Sequence, residues 1–229
     1  MADVGVPRTK DQAEVNTSAP TTHDAPLGIL PTPPTTPSEQ LAYMSKFDVP
    51  TVAIDRTMYY SMTEVGVLDP QYSYELIYGT IIQSQPISPN HAHKLMILTE
   101  QLNDCLRKQA VINSQNPLSV NATSEVQPDI ALLVPPAERY RDRHPTPEDV
   151  LLVIEIASST LKTDRTLKLQ LYASANIPEY WIVNLIDKQL EAYINPDLTR
   201  GQYLETKRYN VGDDASPKAF PDCQLRWWV

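Results

Sequence analysis

The feature that most constrains this chain is an apolar run that contains one acid. Residues 150–156 read VLLVIEI, which is apolar at every position except Glu155. Such a run is typical of a central strand that is covered on both faces. An ionised, unpaired carboxylate buried there would cost on the order of several kcal/mol. The sequence therefore predicts one of three environments for Glu155: it faces water at the strand end, forms an ion pair with another side chain, or binds a divalent cation.

A second acid adjoins another apolar run. Asp129 opens the stretch DIALLV, residues 129–134, directly after Pro128, and this stretch predicts a strand of about six residues. Hard ions such as Mg²⁺ take one or two carboxylates, a backbone carbonyl and several waters. Asp129 and Glu155 on adjacent strands would supply that set. For either acid alone, a residue that faces water or forms an ion pair remains an alternative.

Apolar periodicity predicts the elements around these two runs. The order that follows, helix, hairpin, helix, strands, helix, strands, is that of an α/β or α+β sheet protein. The predicted elements are a helix start near Thr63, a hairpin of 74–77 and 80–82 turning at Gly79, helices 91–107 and 163–175, and strands 118–122, 129–134, 150–156, 180–185 and 189–194.

Composition separates a tail from a folded domain. Residues 1–45 include PTPPTTPSEQ and few large apolar residues, so we expect a flexible tail and a folded domain over 46–229. No apolar run approaches the roughly 20 residues that span a bilayer, which favours a cytoplasmic protein without a membrane partner. Of the two cysteines, Cys105 falls in a predicted helix and Cys223 near the C-terminus. A disulfide is therefore not expected, and a CxxC metal site is absent from the sequence.

The charge of the chain opposes nucleic-acid binding. The formal net charge is −9, the wrong sign for a protein that holds phosphates chiefly with Lys and Arg. A nucleic-acid substrate therefore requires bound divalent cations or a local basic groove beside Glu155. Dispersal of the basic candidates would instead favour a protein-interaction module. These candidates are Lys94, Arg107, Lys108, Arg139, Arg141, Arg143, Lys162, Arg165 and Lys168.

A lysine follows Glu155 on the next predicted helix. Asp164 and Lys168 stand at i and i+4 and so share one helix face. They can form a surface ion pair worth only about 0.3–0.5 kcal/mol. Alternatively, a helix that leaves a metal-bearing strand can aim Lys168 over the metal. There an ammonium stabilises phosphate charge or orients an attacking water.

Several motifs together resemble the Uma2 family, also called DUF820. This family is a set of bacterial proteins, abundant in cyanobacteria, with a restriction-endonuclease-like PD-(D/E)XK fold. The resemblance covers about residues 55–229, and Asn176 stands where the family usually has Gly. It rests on YELIxG at 74–79, SPxH at 88–91, Pro128-Asp129, the series Glu155-Ile156-x-Ser158, Asp164, Lys168 and Tyr172, and above all NIPEYWIV at 176–183.

The resemblance implies a restriction-endonuclease-like mixed central β-sheet flanked by α-helices, with Mg²⁺ or Mn²⁺ as cofactor. The implied metal ligands are Asp129, Glu155, the backbone carbonyl of Ile156 and, directly or through water, Glu75. In the wider superfamily a lysine lies two residues after the second acid, but Ala157 stands there in this chain. The resemblance assigns that role to Lys168.

The implied catalytic set is therefore Glu75, Asp129, Glu155 and Lys168. In supporting roles, His91 would contact phosphate or tune Glu75, and Asp164 would cap the helix and orient Lys168.

These residues favour an endonuclease that hydrolyses phosphodiester bonds of nucleic acid, with DNA as the expected partner. The alternative is a noncatalytic nuclease-fold module that binds a protein through the tail or through Trp227-Trp228. A small-molecule phosphohydrolase is a third hypothesis. The C-terminal Trp pair, as a docking strand or dimer contact, and the habit of the family also favour a homodimer.

Overall fold

A computed structural model describes residues 52–228, so the tail predicted over 1–45 lies outside the described residues. Three helices and ten strands occur in this range, with short 3₁₀ turns at Ala137–Tyr140 and Pro147–Asp149. The helices are α1 (Arg56–Glu64), α2 (Pro89–Leu106) and α3, which runs through Leu161–Thr163, a π-helical turn at Asp164–Lys168, and Leu169–Ser174. The strands are β1 (Tyr74–Ile77), β2 (Thr80–Gln83), β3 (Val111–Ser114), β4 (Leu118–Asn121), β5 (Ser124–Val126), β6 (Ile130–Leu133), β7 (Val150–Ala157), β8 (Glu179–Asn184), β9 (Gln189–Asp197) and β10 (Gln202–Asn210).

A six-stranded mixed sheet forms the centre of the fold. Its strand order is β10-β9-β8-β7-β6-β3. Every neighbouring pair is antiparallel except β7 and β8, which are parallel and joined through α3. The predicted fold class, a mixed central sheet flanked by helices, is confirmed.

The two faces of this sheet are covered differently. On one face, α2 and the C-terminal segment pack against Leu152, Ile154 and Ile156 of β7. On the other face, α3 and a four-stranded antiparallel sheet, β2-β1-β5-β4, cover Val153 and Ala157. Alternation along β7 directs Glu155 to this second face. The central strand is therefore buried on both sides, as its composition predicts.

The β1–β2 hairpin is as predicted. Tyr78 and Gly79 have φ values of 49° and 75°, and two positive φ angles suit the right-handed twist of a two-residue turn. A Cβ at Gly79 would lie 2.6 Å from the Cβ of Ala53, so glycine is required there for space as well as for conformation. The predicted start of the first helix was wrong, because Asp55 caps α1 and accepts a hydrogen bond from Met58 N at 2.8 Å.

Two expectations about the C-terminal segment were also wrong. Trp227 is only 2% exposed and packs into the core of its own chain, while Trp228 is half-buried. The Trp pair is therefore not an exposed docking patch. This packing brings Cys223 against α2, where it forms a disulfide with Cys105. Within residues 52–228, no helix is long and apolar enough to cross a membrane.

Candidate active site

The two acids that interrupt apolar runs lie opposite each other. In the antiparallel register of β6 and β7, Ile130 pairs with Ile154, so the preceding Asp129 faces Glu155 at the same end of the strands. Asp129 and Glu155 are 8% and 5% exposed. Their side chains share the sheet face that α3 covers. The structure therefore brings together the two acids that the sequence predicts.

Asp129 makes three polar contacts through its carboxylate. Its Oδ2 accepts the backbone N–H of Ile156 at 2.8 Å and lies 3.0 Å from His91 Nε2. Its Oδ1 accepts from Gln115 Nε2 at 3.3 Å. His91 stands in the first turn of α2, which Ser88 caps. The contact of His91 with Asp129 was not predicted, and the expected roles of His91 towards phosphate or Glu75 stay predictions.

Glu155 is held from α3. Its Oε1 accepts hydrogen bonds from Lys168 Nζ at 3.0 Å and from Tyr172 OH at 2.8 Å. Lys168 Nζ also donates to Glu75 Oε1 at 3.1 Å. Glu75 reaches the cluster from β1, and its Oε1 additionally accepts the backbone N–H of Gln127 at 2.8 Å. One buried ammonium therefore joins an acid of the large sheet to an acid of the small sheet.

The π-helical turn of α3 carries the groups that face the sheet. Asp164 begins this turn and Lys168 ends it, with Tyr172 four residues further on, and all three side chains are buried. Asp164 does not cap the helix as expected, since Thr160 precedes the first helical residue. Instead Asp164 is 1% exposed and its Oδ2 has no hydrogen-bond partner. Wide turns of this kind occur frequently at functional sites.

Burial and charge shift the pKa values of this cluster. Burial, followed by the charges of Asp129, Asp164 and Glu75, raises the pKa of Glu155 above its usual range, although Lys168 opposes the shift. Burial likewise raises the pKa of Asp164. Burial alone would lower the pKa of Lys168, but the surrounding carboxylates outweigh it and raise that pKa. Three buried acids, Glu155, Glu75 and Asp164, therefore act on Lys168, and Asp129 adds a fourth negative charge beside Glu155.

The donor chemistry suits a hard cation, but the present side-chain positions do not enclose one. Glu75, Asp129 and Glu155 supply carboxylate oxygens, which Mg²⁺ and Mn²⁺ prefer. Across residues 52–228, no three His, Cys, Asp or Glu side chains converge closely enough to hold a metal ion. The Lys168 ammonium lies where Glu75 and Glu155 would otherwise share a cation. The ligand types therefore suit such an ion, but Lys168 would have to move to admit it.

The backbone of Ile156 faces the same side as Asp129. Its N–H donates to Asp129 Oδ2, and the N–H and C=O of one strand residue point towards the same neighbouring strand. The Ile156 carbonyl is therefore directed towards the Asp129 side of β7.

The basic candidates do not gather beside Glu155. Arg139 and Arg143 pair with Asp149, which precedes β7 and therefore lies about 20 Å of strand away from Glu155. Arg165 pairs with the buried Glu191 and with Asp187. Lys94 and Lys168 are buried. Lys162 is exposed and lines a cleft of about 530 Å³ that follows the end of β7.

Three residues that contact the site acids had no predicted role: Tyr172, Gln115 and Gln127. Tyr172 belongs to the motif series, and its i+4 spacing from Lys168 is the signal that could have identified it. The contacts of Gln115 and Gln127 had no such signal, because each depends on how strands from separate parts of the chain meet.

Comparisons with known proteins agree with this architecture. Residues 57–227 match the model of the Uma2 family, whose description is "Putative restriction endonuclease". A crystal structure from Anabaena variabilis ATCC 29413, of a protein described as a "putative nuclease belonging to DUF820", is similar with a TM-score of 0.58 and 15% identity. The match covers 72% of this chain and 94% of that one, and at this identity it concerns the fold alone. No curated protein matched the sequence.

Proposed function

Because the chain belongs to the Uma2 family, we propose that it is a metal-dependent endonuclease that hydrolyses phosphodiester bonds of nucleic acid, with DNA as its substrate. One observation carries the proposal. Asp129 and Glu155 oppose each other as buried acids on adjacent strands, and Lys168 contacts Glu155. Buried acids whose pKa values are shifted, as those of Glu155 and Asp164 are, favour a functional site over a purely structural one.

In this proposal Asp129, Glu155, the Ile156 carbonyl and Glu75 hold Mg²⁺ or Mn²⁺. The bound ion would supply Lewis acidity and a water of lowered pKa. The protein orients the carboxylates: the Ile156 N–H fixes Asp129, and Tyr172 fixes Glu155 through a 2.8 Å hydrogen bond. Fixed orientation matters because a misplaced group can cost orders of magnitude in rate.

Lys168 has two successive roles in the proposed mechanism. Its ammonium first neutralises Glu75 and Glu155, to which it donates at 3.1 and 3.0 Å. Once these carboxylates have another counter-ion, the ammonium is available to contact an anionic substrate oxygen and stabilise charge that develops there. His91 and Asp164 act in support, His91 by holding Asp129 and Asp164 by adding negative charge beside Lys168.

The experiment is cleavage of plasmid and single-stranded DNA with Mg²⁺, Mn²⁺ or EDTA. We expect nicking by the wild type with either metal, none with EDTA, and loss of nicking in Glu155→Gln and in Lys168→Gln. Glu125→Gln is the matched control, because Glu125 is a buried acid of the small sheet that hydrogen-bonds Ser119. Equal cleavage by all variants would indicate a contaminating nuclease and contradict the assignment.

A second candidate function is a noncatalytic protein-interaction module with a nuclease fold. The positions of the basic residues favour it, since Arg139, Arg143 and Arg165 are engaged with acids of the same chain. A net charge of −9 also disfavours phosphate binding. Folded wild-type protein that cleaves neither DNA nor RNA with either metal would support this candidate.

We also propose an assembly and a cellular location for this chain. A homodimer is the proposed assembly, although the buried Trp227 no longer supports it. A cytoplasmic location is proposed as well, and there the Cys105–Cys223 bond would be exposed to reduction.

A further inference from the structure

Among residues 52–228, the long strand β10 has a neighbouring strand on one side only. It lies at the edge of the large sheet, beyond β9, and spans nine residues. Seven of these residues are exposed, and only Tyr203 and Tyr209 are half-buried. An exposed strand edge presents unpaired N–H and C=O groups that can pair with another strand. The opposite edge strand, β3, has only four residues.

The charges of β10 are arranged symmetrically about Thr206. Glu205 precedes Thr206 and Lys207 follows it, and both project from the same face of the strand, where Lys207 Nζ lies 3.3 Å from Glu205 Oε1. Two antiparallel copies related by a two-fold axis through Thr206 would place Glu205 of each copy opposite Lys207 of the other. Opposite charges at directly facing positions stabilise a strand pair.

Neighbouring registers lack this complementarity. Side chains of facing residues must share a sheet face, so the axis can move only in whole-residue steps. An axis through Lys207 would place the two Lys207 side chains opposite each other. An axis through Glu205 would do the same to the two glutamates. Like charges at facing positions are destabilising, so the charge pattern favours the register centred on Thr206 over these two neighbours.

We infer that β10 pairs antiparallel with β10 of a second copy of this chain, in the register centred on Thr206, and joins the two large sheets into one of twelve strands. This inference rests on the homodimer of the proposed function and gives it a surface. It is independent of cleavage, because none of the proposed catalytic residues lies on β10.

Analytical ultracentrifugation of the full chain over a broad concentration range tests the surface. We expect a wild-type dimer, and we expect Lys207→Glu to weaken it by about tenfold or more, because two attractive pairs become repulsive. The double variant Glu205→Lys/Lys207→Glu should recover the dimer, since it exchanges the charges and restores both pairs. Lys162→Glu, at an exposed position on α3, makes the same charge change and should leave the dimer intact.

Cysteine cross-linking tests the register. Under oxidising conditions Thr206→Cys should yield a disulfide-linked dimer, because facing residues of antiparallel strands lie within disulfide reach, at about 4.5–5.5 Å between Cα atoms. Arg208→Cys should not, because the two copies of residue 208 would be about 13 Å apart along the strand.

Three results would overturn the inference: a wild type that is monomeric at every concentration, a dimer unaffected by Lys207→Glu, or a double variant that fails to recover. A monomer counts against it whether the edge is bare or is covered by another segment of the same chain.

Discussion

Lys168 and Glu155 form a buried ion pair, with 3.0 Å between Nζ and Oε1. The strand residue and the helix residue are only 13 positions apart, so the chain brings the lysine back over the acid within one strand–helix connection. The same ammonium reaches Glu75, which is 93 positions away on the small sheet. The apolar run of β7 therefore tolerates Glu155 because Lys168 of the following helix forms an ion pair with it.

Removing this cation should destabilise the protein. Lys168→Met leaves Glu75 and Glu155 buried without their counter-charge, and the loss of one partner from a buried pair typically costs about 3–5 kcal/mol. Urea unfolding measures the change in the free energy of unfolding. Lys162→Met is the matched control, because Lys162 is exposed on the same helix. Mg²⁺ should recover more stability in Lys168→Met than in the wild type. Similar free energies for the two methionine variants would contradict this account of the ion pair.

Tyr172 should position Glu155 without being needed for the fold. Tyr172→Phe removes a hydrogen bond of 2.8 Å to Glu155 and should lower the free energy of unfolding by about 1–3 kcal/mol. Cation affinity, measured by calorimetry, should fall as well, because Glu155 loses the hydrogen bond that orients its carboxylate. Tyr203→Phe loses a hydrogen bond to the Ile177 carbonyl and should reduce stability alone. Unchanged affinity in Tyr172→Phe would leave Tyr172 a purely structural residue.

Local pattern predicted those elements whose burial is visible in the sequence. The apolar runs of β6 and β7 and the leucine stripe of α2 were all predicted to within a few residues. β10 was missed because it is an exposed edge strand with mostly polar residues. β5 was missed because it has three residues, one of them the buried acid Glu125.

The site was only partly predictable for a physical reason. An acid that interrupts or adjoins an apolar run is visible in the local sequence, so Asp129 and Glu155 could be predicted. The partner of His91 could not, because the contact with Asp129 spans 38 residues and depends on how α2 meets β6. The Cys105–Cys223 bond was missed for the same reason, since its half-cystines are 118 residues apart.

The Asp149–Arg143 contact should make stability depend on pH in the acid range. Hydrogen bonds from the Arg143 side chain, with smaller help from Thr146, lower the pKa of Asp149 from 3.8 to about 2. A carboxyl group whose pKa is lower in the folded state stabilises that state at pH values above the pKa of the unfolded chain. This contribution disappears as the pH falls through the pKa of the folded state. The stability difference between wild type and Asp149→Asn should therefore be constant above about pH 4 and shrink towards pH 2. Urea unfolding across this range measures it, and a difference that does not change with pH would contradict the assignment.

The disulfide should contribute through the loop that it closes. For a separation of 118 residues, the loss of loop entropy in the unfolded chain predicts about 4–5 kcal/mol. Cys105→Ser should lower the free energy of unfolding by that order, and a reductant should lower it similarly in the wild type. The reductant should have no effect on Cys105→Ser. If the wild type is equally stable with and without reductant, the two thiols are not joined.

The central claim is that the buried acids at the ends of β6 and β7 hold a divalent cation. Isothermal titration calorimetry with Mg²⁺, in the absence of nucleic acid, tests it most directly. We expect loss of binding in Asp129→Asn and Glu155→Gln. The wild type should bind Mg²⁺, and so should Glu125→Gln, which changes a buried acid of the small sheet. Equal binding by all four proteins, or none by the folded wild type with either Mg²⁺ or Mn²⁺, would contradict the claim.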